Sequence, residues 1–306
     1  MHHKSTPGGD SSQVSEREPT ERQNETYLRV AQYILKQFEV SPHRSHITMG
    51  LVDRDRIQFY HANHSVVLVS SGVDFSLHDR TGGLDKFIAI VIALGKLSLR
   101  DSGIHYEPHD NTLFPEKELP TSDLAPGAMR MLEEGKLEFG GDEKTGAFTL
   151  TYDKAISQRP SLTGRSTAVL HAKSSRWEGL DLVVKISWPN SDWVPESAYL
   201  TKAVETAEST PADEWALKHL PRVLFTQDII FDSDSAHSKV ASLFDDPEFV
   251  NGEYDYERRT LRIIIQERLY SLKVLNNAKQ VAQVLLDVGC GMWFHSVFGY
   301  QTFTLI

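Results

Sequence analysis

The sequence predicts an α+β protein, and three observations point there. Apolar residues recur at helical spacing from Tyr27 through Val30, Ala31, Ile34 and Leu35 to Phe38. Three strand-like runs joined by short polar turns follow between residues 46 and 71. In the second half a β-branched strand, LDLVVKISW (180–188), leads into a helical stretch, PESAYLTKAVETAE (195–208). The 306 residues suit one large or two ordinary domains. Their 40% apolar and 9% aromatic content excludes wholesale disorder.

Charge and cysteine narrow the function classes. Forty-two acidic against 32 basic residues give a formal charge of −10. That argues against a protein whose main task is gripping nucleic-acid phosphates or anionic lipid. The single cysteine, Cys290, excludes an intrachain disulfide and a Cys-built zinc site. The polar start contains no signal-peptide run, so an intracellular home, cytoplasmic or nuclear, is expected.

The elements follow in order. Residues 1–24 lack periodic apolar positions and read as a disordered tail. Asn24 suits the cap of the first helix, which should end near Ser41-Pro42, because the residue before proline disfavours helical backbone. His46 to Val52 and Arg56 to Ala62 read as strands around the turn Asp53-Arg54-Asp55. After the turn Asn63-His64, Ser65 to Ser71 (SVVLVSS) reads as a buried strand. Residues 84–99 (LDKFIAIVIALGKLSL) are apolar on so wide a face that a helix buried on most sides is expected. This run is too short and too charged to span a bilayer. Residues 100–125 read as irregular. Lys136 to Phe139 and Ala147 to Tyr152 suggest a hairpin around the intervening glycines. Pro195 sits well at the start of the 195–208 helix. Pro221 to Phe231 reads as a strand pair or meander, 232–258 as an acidic loop, Leu261 to Leu269 as a strand and 276–288 as an amphipathic helix.

The chemistry lies in an ordered set: Gly164-Arg-Ser-Thr-Ala-Val169, then Lys185 within a strand, then Glu196 at the next helix start. Singly each has a bland reading. A glycine in a turn is usually only a turn, a strand lysine usually meets solvent, and a helix-start glutamate usually meets the helix dipole. In this order they fit nucleotide phosphates. A residue without Cβ lets the backbone approach a phosphate, a lysine on the next strand supplies charge, and a glutamate holds that lysine. Glu205 and Glu208 share the helix with Glu196 and compete for that role.

Residues 25–288 resemble the fungal-type protein kinases, a divergent branch of the protein-kinase-like superfamily. The similarity rests on HRSHITMGLVDRDRIQFYHANHSVVLVSSGVDF, RPSLTGRSTAV, LVVKISWP with PESAYL, and RTLRIIIQERLYSLKVLNNAKQVAQVLLD. Asn63-His64-Ser65 stands where the family often has Asp-Arg-Ser. The resemblance implies ATP as cofactor, with Mg²⁺, and phosphoryl transfer to Ser or Thr of a protein substrate or partner. It implies that Gly164 belongs to the glycine loop, Val169 covers adenine, Lys185 contacts phosphate and Glu196 pairs with Lys185. Ile265 to Arg268, including Gln266 and Glu267, fall at the hinge that would bind adenine.

The resemblance also implies four regions: a tail (1–24), a family-specific α+β domain packing a small antiparallel sheet on helices (25–150), a kinase-like N-lobe (151–270) and an incomplete C-lobe with an apolar tail (271–306). No His-Arg-Asp or Asp-Phe-Gly triplet occurs in the 306 residues. The last nineteen residues carry no Asp, Glu, Lys or Arg and do not resemble the family; a misread intron or frame change would account for them. The chain is therefore expected to stop before the catalytic loop, to have no catalytic residues of its own, and to act as a weak ATP binder or protein-interaction module.

Three other constellations carry less. His105-Tyr-Glu107-Pro-His109-Asp110 has zinc-ligand types, but Pro108 disfavours a helical arrangement, and a polar surface loop is expected instead. Asp232-Ser-Asp234 with Asp245-Asp246 lacks calcium-loop spacing and reads as a solvated acidic insertion. The tail MWFHSVFGYQTFTLI is aromatic but short and interrupted for a membrane anchor, and packing on the underside of the N-lobe is expected. No metal, nucleic acid or membrane partner is expected.

Overall fold

The computed structural model describes residues 21–76, 82–97, 102–104, 129–140 (without 134), 146–209, 211–231 (without 212, 213, 219 and 230), 235–246 and 256–269, with helical positions at 279, 282, 283 and 286. The expected tail at 1–24 lies almost wholly outside these residues. So do the His105–Asp110 and Asp232–Asp234 motifs, most of the 276–288 helix and the tail 289–306.

Helix α1 spans Glu21–Val40 and stops two residues short of Pro42. It begins upstream of Asn24. Its Val30, Ile34 and Phe38 lie one turn apart and are buried against Ile47, Tyr60 and Ala62. Those three belong to β1 (His46–Asp53) and β2 (Arg56–Asn63), an antiparallel hairpin in register from His46↔Asn63 to Asp53↔Arg56. Strands β3 (Val67–Val69) and β4 (Val73–Asp74) both pair with the far side of β2. The expected buried strand at 65–71 is thus only three residues long and half-exposed, because it forms the open edge of this sheet.

Helix α2 (Gly83–Gly95) overturns a second expectation. It is not buried on most sides: Ile88, Val91 and Ile92 are each about half-exposed. Phe87 stacks on Phe75 at 4.3 Å beside β4. Hydrophobicity alone does not bury a helix; a partner surface must be present, and among the described residues this helix meets little beyond β4.

The second sheet has seven antiparallel strands in the order β10-β11-β9-β8-β7-β6-β5. These are β5 (Met129–Glu133), β6 (Lys136–Phe139), β7 (Phe148–Arg159), β8 (Thr167–Ser174), β9 (Leu182–Ser187), β10 (Val223–Ile229) and β11 (Leu261–Glu267). Residue 150 therefore falls inside β7, and β5 and β6 extend the same sheet as Lys185. The 221–231 segment supplies one strand rather than two. Along β8, β9 and β11, Ala168, Leu170, Val184, Ile186, Ile263 and Ile265 turn to one face and join a single buried core. The sheet rolls around that core. Phe139 of β6 and Phe225 of β10 are far apart in strand order, yet their rings meet at 5.2 Å. Fully buried side chains of this size contribute about 1.5–3 kcal/mol each, so the roll is the main store of stability.

Helix α3 (Glu196–Ser209) lies against this sheet and buries Ala203 and Ala207 beside Ala216. Helix α4 (Ala236–Asp245) sits inside the expected acidic loop, with Ser235 Oγ accepting the Ser238 N–H as its cap. The two sheets are riveted together. The His64 ring stacks between Phe38 and Trp188, 4.3 Å from each. The Trp188 indole N–H donates to the Pro42 carbonyl at 2.9 Å.

Candidate functional site

The glycine loop joins β7 to β8. Gly164 takes φ +110°, a backbone that side chains with a Cβ adopt only under strain. Its N–H donates to the His64 carbonyl at 2.7 Å, and its own carbonyl accepts the Ser166 N–H at 2.9 Å. The Trp188 N–H in turn donates to the Ser166 carbonyl at 3.0 Å. The loop is fixed at both sheets, with Leu162 packed on the core of the first.

Sheet register assembles the floor. Val169 on β8, Lys185 on β9 and Ile264 on β11 are direct cross-strand neighbours. They share the face opposite the aromatic core, since side chains alternate along a strand. β9 lies inside the sheet and all six of its residues are buried, Lys185 included at 8% exposure. A buried ammonium needs a partner. Its Nζ donates to Glu196 Oε2 at 2.6 Å. Glu196 stands in the first turn of α3, where the helix dipole favours a carboxylate. Thr226 Oγ1 donates to Ser197 Oγ at 3.3 Å and ties that turn to β10. Glu205 and Glu208, the competing helix carboxylates, are exposed.

The structure thus brings Val169, Lys185 and Glu196 together, while Gly164 is hydrogen-bonded to His64 and only its neighbour Arg165 reaches Glu196. Gln266 and Glu267 hold the last two positions of β11. Gln266 stands two residues beyond Ile264 on the same face, opposite Val183. The Glu267 N–H donates to the Arg222 carbonyl at 3.1 Å, and its carboxylate accepts from the Arg222 guanidinium, also at 3.1 Å. Both residues are engaged in strand pairing rather than in a free hinge backbone.

Three charged arrangements were not singled out by sequence. Arg165 NH2 lies 3.7 Å from the same Glu196 oxygen that accepts from Lys185. The only sequence signal for it is its place beside Gly164. Arg262 grips Asp228 in a fork at 2.7 and 2.8 Å. His171 lies between Asp153 at 3.2 Å and Asp181 at 3.1 Å. At the junction of the two sheets, burial pushes His64 down to about 3 and His61 and His237 to about 4. Nearby positive groups, including Arg259 for His64, act in the same direction.

Among the described residues no group of three His, Cys, Asp or Glu could hold a metal ion. Asp245, part of the acidic constellation, instead pairs with Arg258 at 2.7 Å. No described helix is long and apolar enough to cross a membrane.

The model of one family, described as fungal protein kinase, matches residues 11–214, two thirds of the chain. No curated protein and no solved structure matches it.

Proposed function

The chain belongs to the fungal protein kinase family, and from that premise we propose that its second sheet is an ATP-phosphate cradle. One observation carries the reading: the Lys185–Glu196 contact of 2.6 Å, which Arg165 of the Gly164 loop approaches to 3.7 Å. A buried lysine held by a helix-borne carboxylate is the arrangement that protein kinases use to position the α- and β-phosphates. The residues fit a nucleoside triphosphate. Lys185 supplies fixed charge, Glu196 orients it, and the neighbouring β7–β8 loop carries the glycine at 164 and the cation at 165. Val169 and Ile264 flank Lys185 as cross-strand neighbours, Ile264 fully buried, and Gln266 continues that face toward the strand end.

ATP would supply the phosphoryl group of the family's reaction, transfer to a protein Ser or Thr. The family also uses Mg²⁺, but no described cluster suits it, and neither Asp-bearing triplet occurs in the 306 residues. The cradle by itself would bind nucleotide weakly without transferring it, because acceptor-orienting and metal-holding carboxylates supply the main positioning and electrostatic terms. A protein-interaction module is the second reading, favoured by the exposed apolar residues of α2.

Thermal-shift titration of the whole chain with ATP separates these. Stabilisation that grows with ATP and disappears in Lys185→Met supports the cradle. No shift at millimolar ATP supports the interaction module. Robust transfer from labelled ATP with Mg²⁺, abolished by Lys185→Met, would overturn the expectation of inactivity.

A further inference from the structure

Two cations converge on one carboxylate oxygen in this site. Lys185 Nζ lies 2.6 Å from Glu196 Oε2, and Arg165 NH2 lies 3.7 Å from that same atom. Their surroundings differ sharply. The Lys185 side chain is 10% exposed and the Arg165 side chain 46%. A short contact in a buried setting is strong, whereas a longer one at a wet surface is weak and readily exchanged. Two positive charges on one negative charge leave one positive charge unneutralised at the loop mouth.

We propose that Arg165 is a phosphate-binding residue of the glycine loop, parked on Glu196 until an anion arrives. The inference rests on the ATP-cradle reading and adds a residue and a movement to it. The backbone of the loop is held from behind, because the Gly164 N–H is already bound to the His64 carbonyl and the Ser166 carbonyl to the Trp188 N–H. That anchoring leaves the Arg165 side chain as the mobile part. When a polyphosphate reaches the Lys185–Glu196 pair, the guanidinium leaves Glu196 for the phosphate oxygens, which match its planar fork. Lys185 keeps Glu196 through the exchange, so the carboxylate is never left without a cation beside the incoming anion. No bond is made or broken; one ion pair is traded for another.

The test compares ATP and adenosine binding to the full chain by calorimetry, for wild type, Arg165→Gln, Arg165→Lys and Lys185→Met. Circular dichroism confirms that each variant is folded. Arg165→Gln is expected to weaken ATP by about tenfold, the size of one charge-assisted contact. Adenosine, which has no phosphate, should bind wild type, Arg165→Gln and Arg165→Lys alike. Arg165→Lys should recover part of the loss, since it restores the charge but not the fork. If ATP binds wild type and Arg165→Gln equally while Lys185→Met is weakened, Arg165 is only a surface partner of Glu196 and this inference fails alone. If wild type binds neither ligand, both the inference and the ATP reading fail.

Discussion

Lys185 on the interior strand β9 and Glu196 at the head of the next helix meet at 2.6 Å, although they stand eleven positions apart in the chain. Neither side chain is fully solvated, so the pair supports the structure as well as the site. Removing one partner of a fully buried pair costs about 3–5 kcal/mol. Glu196 retains 29% exposure, which lets water screen part of that loss. Glu196→Gln should therefore cost on the order of 1–2 kcal/mol in denaturant unfolding and should also reduce the ATP-dependent thermal shift. A variant that keeps the full shift would show that the carboxylate does not position the lysine.

Acid should loosen the junction between the sheets. His64 is held at about 3 and His61 and His237 at about 4, below the ordinary value of 6.5. Burial is the first cause for all three. The unfolded chain therefore takes up protons before the folded one. Their contribution is complete above about pH 6.5 and declines as pH falls toward the folded values. The loss is about 1.4 kcal/mol per histidine per pH unit within that window. Denaturant melts at pH 7, 6 and 5 measure it, and His61→Gln should flatten the slope by about a third. A flat profile would mean that the rings are hydrated in solution.

Gly164→Ala tests the roof of the site. The added methyl finds room, its nearest neighbour being Ser161 Oγ at 3.5 Å. The backbone at φ +110° is the difficulty, worth about 1–3 kcal/mol. Either the loop keeps its shape and the protein loses that stability, or the loop changes shape and the ATP response falls. An unchanged melting temperature with an unchanged ATP response would contradict the described loop.

Exposure on α2 makes a prediction opposite to its hydrophobicity. Ile92→Glu should alter unfolding stability by no more than about 0.5 kcal/mol, because Ile92 is 52% exposed. Ile186→Ala, on the buried face of β9, should cost about 2–5 kcal/mol. A large loss from Ile92→Glu would show that the helix is covered in solution.

Much of the site was legible because it lies in consecutive, strongly patterned segments. The run LVVKIS has β-branched residues on both sides of one lysine, and that fixes both the strand and the outlier within it. The helix after Pro195 was equally clear. Other features depend on tertiary partners that no local pattern announces. α2 looks buried by composition, yet the described fold offers it little surface. α4 was masked by acidic neighbours, although Ser235, Val240 and Ala241 carried a capping and packing signal. β5 and β6 belong to the second sheet because their Leu137 and Phe139 close the roll against β7 and β10, a contact set by curvature. The extent of β11 is set by tertiary pairing in a similar way. Gln266 and Glu267 look like the start of a hinge, but pairing with Val183 and Arg222 keeps them in the strand.

The hydrogen bond from Gly164 to the His64 carbonyl has a kinetic consequence. A flap secured at its tip does not swing on a hinge to admit cargo. Under the proposed nucleotide reading, entry would be timed by the rotation of side chains, which takes picoseconds to nanoseconds at a surface, rather than by slower collective backbone opening. The Gly164 amide should exchange with deuterium at the pace set by separation of the two sheets, so access beneath the flap and cohesion of the whole molecule would share one clock.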